Sequence, residues 1–184
     1  MTKQFEYGIV STWKLIIFIF CSEVERMNYI DLINDEQFHD LIHSESTDKK
    51  AKTLNKFLRD NKEKTIRLYH GTSSDLPIIE EGLKPTSRKT AKSLQSGHGY
   101  VYLSIYPSMA FTFGEMAYPK KDITVYAVDI PIKNLKVDVD QLKNKRYWGN
   151  DSNIGSTLGH SIIYGHGARV KGWIQSYMIT KVIK

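Results

Sequence analysis

Residues 65–72 read Thr-Ile-Arg-Leu-Tyr-His-Gly-Thr. The first five alternate polar and apolar side chains, the period of a strand with one buried face. The strand runs out into His70-Gly71-Thr72. Two further strands are expected downstream, at Tyr100–Ser104 and at Ile123–Ile130, the second rich in the β-branched residues that suit a pleated surface. Between the first two, Leu76 to Leu83 reads as a short helix closed by Gly82, and Pro85 to Gly97 as a polar, basic loop. Ser108 to Met116 reads as a helix that starts at Pro107 or Ser108. Asn144 to Gly165 is polar and glycine-containing and is expected to be a long surface loop. Val170 to Ile179 supplies closing strands.

Upstream of Thr65 the period changes. Ile30, Leu32, Ile33, Phe38, Leu41 and Ile42 recur at threes and fours, which predicts a helical stretch from Asn28. A second helix is expected from about Thr47 to Asn61, started by Ser46 or Thr47. It carries Leu54, Phe57 and Leu58 among lysines, and Lys49, Lys50, Lys52, Lys56 and Arg59 read as its solvated face. Helices lead and strands follow, the order of an α+β fold. The chain divides into an apolar extension (1–26), an N-terminal helical segment (27–63) and a strand-rich domain (64–184).

The totals bound the function. The chain has 184 residues, enough for one well-buried core. A formal charge of +6 favours acidic partners such as nucleic acid, NAD or an anionic membrane. One cysteine, Cys21, excludes a disulfide framework or a multi-cysteine zinc site within the chain, and a reducing, cytoplasmic location is expected. His39 and His43 share a helix face at ligand spacing but lack a third ligand, so no metal is expected. Leu15 to Cys21 is apolar, yet Lys14 interrupts it and it falls far short of the roughly 18–20 residues that span a bilayer. Membrane association is therefore not expected. Asp138 and Asp140 read as ordinary surface residues of a strand or turn.

Three pieces of the chain belong together: Leu68-Tyr69-His70-Gly71-Thr72, Ile79-Glu80-Glu81-Gly82-Leu83, and Gly99-Tyr100-Val101-Tyr102-Leu103-Ser104. With the looser Ser108–Phe113, they resemble the His–Tyr–Glu class of ADP-ribosyltransferases, the group containing the poly-ADP-ribose polymerases and diphtheria toxin. The order of the pieces and the 32 residues between His70 and Tyr102 carry the resemblance. It spans Leu68 to Phe113, extends more weakly through Ile123–Ile130, and leaves residues 1–60 outside.

The resemblance implies a split antiparallel β-sheet core in 64–184. It also implies a small, toxin-like, NAD-dependent mono-ADP-ribosyltransferase that releases nicotinamide and modifies a protein or nucleic-acid acceptor. NAD is the co-substrate. The bond between nicotinamide and its ribose breaks through a transition state with oxocarbenium character, as in glycoside cleavage. By the resemblance, His70 holds a ribose hydroxyl, Gly71 lets backbone groups pair with the nicotinamide amide, and Thr72 adds a hydroxyl contact. Tyr102 stacks on the nicotinamide ring, with Phe113 in the place of the second aromatic.

The class normally carries a glutamate on a late strand. Here that strand is expected at Trp173–Ile179, which holds no carboxylate, and Gln175 or Ser176 stands at the position. Losing such electrostatic stabilisation costs about 3–4 kcal/mol, a hundred- to thousandfold in rate. A slow enzyme using Gln175, a substitute carboxylate such as Glu115, and a non-catalytic module that binds NAD, ADP-ribose or a partner protein are the three alternatives. An RNA 2'-phosphotransferase, which resembles this fold, is a further alternative that the sparse arginines disfavour.

Overall fold

A computed structural model of the chain describes residues 40–42, 47–85, 97–148 and 154–183. The apolar extension, most of the helical stretch from Asn28, both candidate metal ligands His39 and His43, and most of the basic loop lie outside the described residues.

Helix α1 spans Asp48–Asp60 as expected. The Thr47 hydroxyl accepts from the Lys50 amide at 3.3 Å, Asp48 sits in the first turn and Arg59 in the last, each sign matched to the helix dipole. Ala51, Leu54 and Leu58 form its buried stripe, while Lys49, Lys52, Lys56 and Arg59 face solvent.

Six strands follow in one sheet: β1 (Thr65–Ser73), β2 (Tyr100–Ser104), β3 (Ile123–Pro131), β4 (Leu135–Lys136), β5 (Gly167–Lys171) and β6 (Ile179–Ile183). Their order is β4-β5-β2-β1-β3-β6, and every neighbouring pair is antiparallel. The molecule is therefore α+β, as its element order predicts. β1 and β3 share nine register pairs, from Thr65↔Pro131 to Ser73↔Ile123. β2 and β5 share five. β1 and β2, at the middle of the sheet, share one, Tyr69↔Ser104.

The sheet has a packed layer on each face. On one, Ile66, Leu68, Val101, Leu103, Tyr126, Val128, Ile130, Ala168 and Val170 join α1 and helix α5 (Leu158–Gly165) in the main core. The described part of the N-terminal helical segment thus shares one core with the strand-rich domain. On the other face, helix α3 (Pro107–Ala117) lies over β1 and β3. It is preceded in the chain by the short α2 (Ile78–Glu81), closed by Gly82 at φ +79°. A β-carbon on Gly71 would stand 1.9 Å from the Ala110 carbonyl oxygen of α3, so the close approach of helix to strand needs a glycine there.

Two expectations fail downstream. Asn144–Gly165 is not one surface loop: helix α4 (Val139–Trp148) occupies its start and α5 its end. Thr157 caps α5, and Gly159 lets the α5 backbone touch α1, where a β-carbon would lie 2.0 Å from the Ala51 carbonyl oxygen. His160, 3% exposed, pairs through Nε2 with Asp48 Oδ1 at 2.9 Å and through Nδ1 with Thr157 Oγ1 at 2.7 Å. Gly159 and His160, residue types that mimic a loop, are used in the contact between α5 and α1. The second failure is the strand expected at Trp173–Ile179. Ile174 makes one isolated bridge to Leu83, Ser176–Met178 is a 3-10 turn, and β6 begins only at Ile179.

Candidate active site

The single β1–β2 pair is the starting point. Beyond Tyr69↔Ser104 the ladder stops, and the His70 imidazole takes the Tyr102 carbonyl through Nδ1 at 2.8 Å. A carbonyl only accepts, so Nδ1 carries the proton and Nε2 of the neutral ring is an acceptor. Burial holds the His70 pKa below its ordinary 6.5, against the opposing effect of that hydrogen bond. His70 is thus a neutral acceptor at physiological pH, partly exposed at a seam between two halves of the sheet. Such a nitrogen suits a hydroxyl donor.

Pleat alternation separates the neighbours. His70 pairs across β1–β3 with buried Tyr126 on the main-core face, whereas Gly71 pairs with Val125 on the α3 face. The space beside Gly71 is filled by the α3 backbone, which gives this glycine a packing role beyond the one the sequence implies. Thr72 is 2% exposed and sits opposite Thr124, so its hydroxyl is enclosed. Tyr102 alternates with Ser104, the partner of Tyr69, and so shares the α3 face with Gly71.

The Tyr102 hydroxyl is held twice. It accepts from the Gly97 amide at 2.5 Å and donates to Asp140 Oδ2 at 2.5 Å. Desolvation, then the hydrogen bond to Asp140, push its pKa up to about 12, so it stays a donor across the physiological range. Asp140 also accepts from Arg169 Nη1 at 3.3 Å. Arg169 stands directly opposite Tyr102 in the β2–β5 register, and its guanidinium carbon lies 4.0 Å from the centre of the Tyr100 ring. A stacked, ion-paired arginine is well suited to partial burial, and its Nε is buried without a hydrogen-bond partner.

Asp140 reaches Tyr102 because Asp138 starts α4. The Asp138 carboxylate accepts from the Asp140 and Gln141 amides at 3.1 and 3.0 Å, while its own amide donates to Ser161 Oγ. Asp138 is 3% exposed, and desolvation raises its pKa to about 6. Both aspartates, expected as surface residues, are therefore structural or site groups. An aspartate at a helix start followed by another in the first turn is a recognisable helix signal. Arg169 and Tyr100 left no comparable trace, since their meeting depends on the β2–β5 register.

The other expected residues are dispersed. Phe113 is partly buried on α3 and makes no ring contact with Tyr102. Glu115 is exposed on the same helix. Gln175 precedes the 3-10 turn that contains Ser176, rather than lying on the strand beside β2, which is β5. Among the described residues no group of three potential ligands is placed to hold a metal ion, and no helix is long and apolar enough to cross a membrane. No protein-family model matches the chain, and no curated protein matches it in sequence.

Proposed function

We propose that the chain is an NAD-dependent mono-ADP-ribosyltransferase. The observation that carries this reading is the hydrogen bond from the His70 ring to the backbone carbonyl of Tyr102, 32 residues on, at a seam where the central strands part after one register pair; the two side chains leave that seam on opposite faces of the sheet. A sheet that opens between the strands bearing these residues fits the split core that the resemblance implies.

In the reaction the bond between the nicotinamide nitrogen and its ribose carbon breaks, the electron pair leaves with nicotinamide, and an acceptor nucleophile bonds to that carbon while losing a proton. His70 Nε2 accepts from a ribose hydroxyl. The Tyr102 ring, held by both contacts to its hydroxyl, offers a fixed aromatic face to the leaving ring. In place of the late glutamate we put Asp140, the carboxylate bonded to Tyr102, ahead of Gln175. Arg169 screens part of its charge, which accords with a slow enzyme.

The test is release of free nicotinamide from NAD by the full-length chain. His70→Ala and Tyr102→Ala abolish it on this reading. Asp140→Asn lowers it about a hundredfold or more, the scale of a lost preorganised electrostatic contact, and Gln175→Ala leaves it within severalfold of the parent. A drop with Gln175→Ala and none with Asp140→Asn reverses that assignment. One observation favours a second reading, a non-catalytic NAD- or ADP-ribose-binding module: a cation, Arg169, faces Tyr102 across the β2–β5 pair. Heat of NAD binding without nicotinamide release would select it.

A further inference from the structure

We infer that the β4–β5 edge and the turn after β5 form a binding site for a single-stranded nucleic acid. A cavity of about 310 Å³ opens there, lined by Lys133, Lys136, Lys171, Asn134 and Trp173 over an apolar floor that includes Ile174. No carboxylate lines it. Lys133 is neutralised by Glu63 at 2.6 Å, which leaves Lys136 and Lys171 as cations without an ion-pair partner among the described residues. Lys136 stands opposite Arg169 in the β4–β5 register, and Lys171 is two residues further along β5, so both lie on one face of the sheet, that of Arg169 and opposite to Val170.

Trp173 supplies the second half of the recognition. It is 50% exposed, yet its indole N–H donates to the Glu81 carbonyl at 2.9 Å, which fixes the ring. Lys84 Nζ lies 5.8 Å from the ring centre, and Tyr177, 81% exposed, follows four residues on. A large aromatic half in water and tethered by its polar atom presents a fixed flat face for stacking. Bases stack on such faces without regard to sequence, while lysines track the phosphates. An acidic peptide would satisfy the lysines and leave the indole face bare. Asn134 adds both a donor and an acceptor for a base edge.

Binding at this face is separable from the transferase reading, because the experiment uses no NAD. Fluorescein-labelled oligouridylate and oligothymidylate are titrated with the full-length chain, and anisotropy is followed at several salt concentrations. The expected result is saturable binding that weakens with salt. Lys136→Gln/Lys171→Gln lowers affinity at least tenfold and reduces the salt slope by about 1.4, or ~0.7 for each lost phosphate contact on a single strand. Trp173→Ala weakens binding roughly tenfold, and Trp173→Phe, which keeps a flat ring, restores most of it. Unchanged affinity in these variants, with thermal unfolding also unchanged, overturns the proposal. So does displacement of the oligonucleotide by polyaspartate as effectively as by unlabelled oligonucleotide. A preference between the two oligonucleotides assigns the strand as RNA or DNA.

Discussion

Asp138 is the residue whose chemistry is most exposed to a simple measurement. Its folded pKa of about 6 lies above the ordinary 3.8, so the folded state binds the extra proton between these values. Stability from this group is full below about pH 4 and is lost as pH rises through 6. Asp138→Asn keeps an oxygen acceptor for the Asp140 and Gln141 amides and removes the buried charge. The variant is expected to match the parent near pH 4 and to exceed it by about 2–3 kcal/mol above pH 7, at ~1.4 kcal/mol per pKa unit. Urea midpoints at the two pH values decide this, and a constant difference would mean that the carboxylate is paired better than its burial suggests. Tyr102→Phe is expected to cost about 1–3 kcal/mol, because the Gly97 amide and Asp140 each lose a partner. At this scale legibility divides by mechanism. His70 and Tyr102 are visible in the sequence as residue types in a fixed order. Asp140 and Arg169 are not, since each gains its role from a partner on another element.

Elements built from local periodicity were legible, and those built from contacts were not. α1, β2, α3 and β3 fall within a residue or two of their expected bounds, because a cap, a proline at a helix start or a run of β-branched or aromatic residues marks each. α5 was hidden because its buried residues include Gly159, His160 and Ser161, which are buried by contact with α1 and β5 rather than by apolarity. Thr157→Ala removes both its cap and the His160 Nδ1 partner, and a loss of about 1–2 kcal/mol is expected in chemical denaturation. Gly71→Ala tests the fit between α3 and β1. With a β-carbon 1.9 Å from the Ala110 oxygen, a loss of about 3 kcal/mol or more is expected. Gly99→Ala is the control: its φ is +81° but nothing lies within 4 Å, so only the backbone cost of ~1–2 kcal/mol remains. Equal losses at the two glycines would show that α3 yields.

For the whole molecule, the seam divides the sheet into a β4-β5-β2 half and a β1-β3-β6 half. The nine β1–β3 pairs against five between β2 and β5 predict that the first half opens at lower denaturant in native-state hydrogen exchange. A single opening step across all six strands would mean that α1 and α5 weld the halves into one cooperative unit.

The pairing of Asp48 with His160 joins positions 112 residues apart. A chain made at about 5–20 residues per second leaves α1 waiting on the order of 5–20 s for its partner helix to be synthesised. During that interval Ala51, Leu54 and Leu58 lack the α5 surface and have only the β1 and β3 side of the core to cover them. Their stripe is the natural grip for a chaperone at the ribosome, and synthesis halted before Leu158 is expected to yield a protease-sensitive nascent chain although its first four strands have been made.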